Sequence, residues 1–197
     1  MNSMANTFSQ IYIQTVLAVN GRLSLIRPEF KEELYKYITG IVQNDGHKLI
    51  AINGMLDHVH ILIGLKPVMA LSDLVRDIKA NSSNFINEKK WVRGKFSWQE
   101  GYGAFSYGHS QLDMIVSYIR NEERHHGRRS FKDEYLTLLR KFDIAFDDKY
   151  VFEFIELIDI SLLAELRLFL LVLFYKHFTP NGVGNRDVLS CVHAARG

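Results

Sequence analysis

Only one cysteine, Cys191, occurs in the sequence. No internal disulfide framework can form, nor a zinc site built from several cysteines. This excludes the small stapled secreted class and fits a reducing cytosol. There are three prolines and no low-complexity tract, which argues against extensive disorder. No basic segment leads into an apolar run at the start, Met1 to Asn6, so no signal peptide is expected. Long hydrophobic runs are missing too. A bilayer span needs roughly 20 residues, whereas the longest uncharged apolar run, Leu168 to Tyr175, has eight, with Glu165 and Arg167 just before it. No membrane partner is expected, and a cytoplasmic location follows. Excess charge of one sign is also lacking. With 24 basic against 22 acidic residues, the net charge is +2. Any nucleic-acid contact must therefore come from a local patch.

The 197 residues are 47% hydrophobic and 12% aromatic, enough for one domain with a sizeable core or one domain with an appendage. Partial alternation over Phe8–Val19 predicts a first strand. Pro28 to Val42 predicts a helix, with proline and acids in its first turn. Strands are expected at Lys48–Asn53 and His58–Leu65, and the short link between them makes an antiparallel hairpin. A helix follows over about Leu71–Lys89, capped near Ser72. Trp98 to Tyr107 reads as a glycine-interrupted edge strand. Ser110 is expected to cap a helix running to about His125, and Ser130 another. The order predicts an α+β fold. Its layout is a ferredoxin-like or RRM-like antiparallel sheet with helices on one face, plus an apolar helical C-terminal extension. The expected division is a catalytic domain over 1–152 and an extension of unassigned role over 153–197.

Two groups of residues carry chemistry. His58 and His60 are two apart on a predicted strand and project to the same face, while Val59, Ile61 and Ile63 point into the helix layer. Two neighbouring imidazoles can bind one divalent metal through neutral ring nitrogens, with further ligands from elsewhere. The motif is short, and two structurally bonded histidines would read the same way. The second group lies on the helix after Ser110. Leu112, Ile115, Val116 and Ile119 form its apolar stripe. Tyr118 and Glu122, four apart, are neighbours on its flank. A flank tyrosine with its hydroxyl in water is the ordinary alternative. Downstream, residues 120–132 hold five basic residues against Glu122 and Glu123, which leaves the rest of the chain slightly acidic. Such a run suits a solvated face, or phosphates beside an attacking hydroxyl.

Taken in order, DHVHILIG at 57–64, a helix with Lys79, GYGAFSYGHSQ at 101–111 and YIRNEERHHGRRSFKDEY at 118–135 form a specific set. It resembles the single-tyrosine HUH transposases of small bacterial insertion sequences, REP-associated tyrosine transposases among them, over about residues 7–152. The resemblance implies a metal-dependent enzyme that cleaves and rejoins single-stranded DNA at hairpin-marked element ends through a 5′-phosphotyrosine. It implies that His58 and His60 bind Mg2+ or Mn2+ and that Tyr118 is the nucleophile. The third ligand is then the position four after the tyrosine, where the family usually has Gln and this chain has Glu122. A carboxylate suits a hard cation. The resemblance also implies a homodimer in which the tyrosine helix of one subunit completes the histidine site of the other, in a bacterial cell and on the nucleoid when DNA is bound. Arg76, Lys79, Arg128 and Arg129 are the expected phosphate contacts, with a solubilising surface as the alternative. No general base for Tyr118 is evident.

Two other readings remain: a non-catalytic single-strand or hairpin-binding module, inactive or host-adopted, and a metallohydrolase that leaves Tyr118 idle. The module reading is weakened because the third strand carries histidines where an RNA-binding sheet would present stacking aromatics.

Overall fold

The computed structural model describes residues 8–122, 130–147 and 151. The expected extension over 153–197 lies outside the described residues, as do Arg128 and Arg129. The elements, in chain order, are β1 (Ile11–Ala18), α1 (Pro28–Asn44), β2 (Lys48–Gly54), β3 (His58–Leu65), α2 (Leu71–Glu88), β4 (Gly103–Tyr107), α3 (Leu112–Arg120) and α4 (Phe131–Lys141). The strands form one antiparallel sheet in the order β2-β3-β1-β4.

Strand alternation gives the sheet two different faces. Leu17, Val59, Ile61 and Ile63 point to one face and pack under α1 and α2, against Leu34, Ile38, Leu74 and Ile78. Val16, Leu62, Phe105 and Tyr107 point to the other. There they meet Ile115 and Ile119 of α3 and Phe131, Leu138 and Leu139 of α4. The second face is thus covered as well. The expected α+β layout with α1 and α2 on one face stands, and a second pair of helices is added over the histidine face. The reason is physical: α3 and α4 each carry an apolar stripe, and the even-numbered residues of β1 and β3 supply the apolar surface that buries it.

Most boundaries fall within two or three residues of the expected ones. Ser130 caps α4, its hydroxyl accepting from the Asp133 amide at 3.2 Å. Ser72 does not cap α2; Ala70 takes that place without a side-chain bond. Ser110 lies in a single 3-10 turn, His109–Gln111, that leads into α3. The hairpin presenting His58 depends on Gly54, since a Cβ there would stand 2.2 Å from the His58 carbonyl oxygen. No helix among the described residues is long and apolar enough to cross a membrane.

Candidate metal and tyrosine site

The β1–β3 register sets Val16 opposite His60 and Ala18 opposite His58, both histidines facing the α3–α4 layer. Both imidazoles are fully buried. Asp57, just before the strand, fixes the first ring: His58 Nδ1 lies 2.7 Å from Asp57 Oδ1. With Nδ1 donating, the lone pair of Nε2 faces the site. Asp57 also accepts from Arg22. Burial works against the Asp57 charge, but the bond to His58, its charge and Arg22 outweigh burial and hold the carboxyl below its usual range. The Arg22 guanidinium lies over the Phe131 ring, 3.8 Å from its centroid, and the same ring stacks on His58 at 3.8 Å.

The second ring is fixed by β1 and β4. Tyr107 Oη donates to Gln14 Oε1 at 2.8 Å, and Gln14 Nε2 lies 2.8 Å from His60 Nδ1. In that sense Nδ1 accepts and Nε2 carries the proton. Turning the Gln14 amide over reverses both bonds, because a tyrosine hydroxyl both donates and accepts. His60 Nδ1 then donates, and Nε2 offers a lone pair to an ion.

The carboxylates come from the helices. Glu122, just beyond α3 and fully buried, places Oε1 3.6 Å from His58 Nε2 and 3.4 Å from His60 Nε2. Glu134 on α4 places Oε1 3.4 Å from His60 Nε2. One ligand atom from each of these four residues falls within 4.8 Å of the others. Two imidazole nitrogens and the Glu122 oxygen fit a divalent cation that accepts nitrogen and oxygen donors, such as manganese or magnesium, with the Glu134 oxygen beside them. Burial, then the charge of Glu134, raises the Glu122 carboxyl far above its ordinary value.

Tyr118 stands beside this set, its ring 6.3 Å from that of His60 and edge-on to it. Its hydroxyl donates to Glu134 Oε1. Burial, followed by the charge and hydrogen bond of Glu134, holds the phenol well above its usual pKa. Asn53, opposite His60 across the β2–β3 ladder, donates to the carbonyls of Ile119 at 3.0 Å and Arg120 at 3.3 Å. That contact ties the end of α3 to the sheet of its own chain. The resemblance implied a helix supplied by a second subunit; here Tyr118 and Glu122 reach the histidines of the same chain.

His58, His60, Glu122 and Tyr118 therefore come together within one chain. Arg76 and Lys79 are placed differently. Arg76 pairs with Asp73 at 2.7 Å and Asp77 at 3.3 Å. The Lys79 ammonium donates to the carbonyls of Gln99 at 2.8 Å and Gly101 at 3.0 Å, holding the segment before β4. Sequence reasoning missed Glu134. A signal was present: Phe131, Glu134, Tyr135 and Leu138 share one helical face, so the acid sits in an apolar stripe.

Residues 7–122 match the family model described as IS200-like transposase. The chain belongs to that family. It is thus a transposase, an enzyme of DNA recombination that binds DNA. The ISDra2 transposase TnpA of Deinococcus radiodurans is 24% identical over 120 residues, spanning 57% of this chain and 84% of the relative. A solved structure of a REP-associated tyrosine transposase bound to a REP hairpin has 14% identity and a TM-score of 0.49, covering 75% of this chain and 96% of that one.

Proposed function

We propose that this IS200-like transposase cleaves and rejoins single-stranded DNA through a covalent bond between Tyr118 and a 5′ phosphate. One observation carries the reading: the Tyr118 hydroxyl rests on the Glu134 carboxylate, beside two buried histidines and Glu122. His58, His60 and Glu122 would hold the divalent ion, magnesium or manganese. The ion supplies Lewis acidity toward the scissile phosphate and orients it, worth several kcal/mol.

The chain's own residues do the rest. Ordinary phenol has a pKa near 10 and this one lies higher, so Tyr118 needs a proton acceptor at hand. Glu134 is that acceptor. As the Tyr118 oxygen bonds to phosphorus, its proton passes to the Glu134 carboxylate. The bond from phosphorus to the 3′ oxygen breaks, and that oxygen leaves as a hydroxyl after taking a proton from solvent. In rejoining, a 3′-hydroxyl attacks the phosphotyrosine and gives its proton to solvent, the bond to Tyr118 breaks, and Glu134 returns its proton to the Tyr118 oxygen. The phosphotyrosine conserves the energy of the broken diester, so no nucleotide triphosphate is consumed.

Hairpins at the element ends and a homodimer belong to the same reading. An exchanged α3 would make the same contacts in a partner subunit as in its own, so exchange would leave this chemistry unchanged. Phosphate contacts fall to the basic run that includes Arg128 and Arg129, since Arg76 and Lys79 already hold carboxylates and carbonyls. The test is cleavage of single strands from the flanks of the gene. Cleavage should stop on chelation and return with manganese, and His58→Ala and His60→Ala should each abolish it. Cleavage that survives both substitutions would refute the site.

A further inference from the structure

Beside the histidines lies a cavity of about 400 Å³. Val16 and Ala18 line it, and these are the cross-strand partners of His60 and His58. Cavity and histidines therefore share a sheet face and lie one strand apart, about 4.8 Å. Phe131 is common to both, lining the cavity while its ring stacks on His58. Tyr135 and Tyr102 add aromatic walls.

The lining also carries polar residues. Gln99 lines the cavity and is 8% exposed, with no hydrogen-bond partner for its Oε1. Its backbone is fully used: the amide donates to Ala18 at 2.8 Å, and the carbonyl accepts from Lys79 at 2.8 Å. Only the side-chain amide is left for a guest. The charged residues in the lining are Glu100 and Asp147, both acidic. Such a lining repels a phosphate and receives an uncharged ring that brings hydrogen-bond donors.

We infer that this cavity takes a nucleobase adjoining the scissile phosphate, and that Gln99 selects a base with an exocyclic amine, adenine in first place and cytosine in second. The inference rests on the proposed strand transfer, which puts the phosphate at the histidines; the base then hangs one sugar away, over the neighbouring strand. Aromatic walls stack on any base. The Gln99 amide accepts from the exocyclic amine and meets the N6 and N7 edge of adenine with two bonds. Thymine and guanine bring a ring N–H beside a carbonyl, where adenine and cytosine bring an amine beside a ring nitrogen, and the amine-deleted analogues distinguish the two. Gln99 is thus a specificity-determining residue for the reaction, and Lys79 a positioning residue that holds its backbone.

The test uses the full chain with manganese and single strands from the flanks of its gene, after the scissile phosphate has been mapped. Each adenine or cytosine within two nucleotides of that phosphate is replaced in turn by its analogue lacking the amine. At one position the replacement should slow wild-type cleavage by about tenfold, as expected for one well-made base contact. Gln99→Leu should cleave the two strands equally, with unchanged thermal midpoint and manganese binding. A wild type indifferent at every position, or a Gln99→Leu variant that keeps the preference, would overturn the inference. If the wild type forms no adduct on any strand, the strand-transfer reading falls instead. Base capture is then read separately with Tyr118→Phe, from binding titrations of a single-stranded dodecamer carrying adenine or, at the same position, purine, which lacks the 6-amine. A preference for adenine that is lost in the added Gln99→Leu change supports the cavity, and a preference that is unchanged or absent refutes it.

Discussion

The Tyr118 hydroxyl donates to the Glu134 carboxylate, which joins a helix-flank tyrosine to an acid sixteen residues further along the chain. The contact gives the nucleophile a proton acceptor. Glu134→Gln keeps the shape and removes the charge. Cleavage should fall by roughly 10²–10⁴-fold, the range for a lost general base, while single-strand binding stays within about twofold. Strand-cleavage rates and a binding titration on the same oligonucleotide check this. A variant with normal cleavage would assign the proton to another group.

Asp57 and the Gln14–Tyr107 pair each fix one imidazole, so they should govern metal affinity without touching DNA. Asp57→Ala and Gln14→Leu are each expected to weaken manganese binding by about 10–100-fold, as partners behind metal-bound histidines do. Calorimetric titration with manganese measures it, and saturating manganese should restore most of the cleavage.

The raised Glu122 pKa gives the metal-free protein a pH dependence. An exposed glutamate in the unfolded chain titrates near 4.5, and in the folded chain burial, then the Glu134 charge, push this carboxyl up to about 9. Between these values the folded state holds a proton that the unfolded chain has released. This contribution to stability is therefore full below about pH 4.5 and is lost as pH rises toward 9. A metal takes the carboxylate only after that proton leaves, so metal binding tightens over the same window. Thermal melts at pH 6, 7 and 8, with chelator and with manganese, should show a falling midpoint without metal and a growing gain with it. Glu122→Gln, the residue usual in the resembled family, should flatten both trends and shift the balance between manganese and magnesium.

Asn53 anchors the last turn of α3 to β2. Asn53→Leu removes two hydrogen bonds to carbonyls, worth about 1 kcal/mol each in stability. Cleavage should drop by more than this, because the tyrosine must be held close to its working position. Comparing the loss in thermal stability with the loss in cleavage rate separates anchoring from simple destabilisation.

Much of this site was readable from spacing. His58 and His60 share a face because a strand repeats every two residues, and Tyr118 and Glu122 are neighbours because a helix brings i and i+4 together. The short link at Gly54–Asp57 fixed the hairpin between β2 and β3. What spacing could not give is contact between distant segments. Glu134 and Gln14 reach the histidines only through the packing of α4 and the register of β1, although each interrupts an apolar face where a polar residue needs a reason. Periodicity also could not say which sheet face α3 and α4 would choose. Arg76 and Lys79 illustrate a further limit, because a basic side chain offers no sign in the sequence of the carboxylate or carbonyl it will meet.

The most direct test of strand transfer at Tyr118 mixes the protein with single strands from the flanks of its gene, with magnesium or manganese. A denaturing gel then reads out wild type beside Tyr118→Phe. A metal-dependent protein–DNA adduct in the wild type, absent from the variant, is the expected result. Cleavage without an adduct, surviving in Tyr118→Phe, would contradict the account and point to a metallohydrolase; tight hairpin binding with neither adduct nor cleavage would point to a binding module.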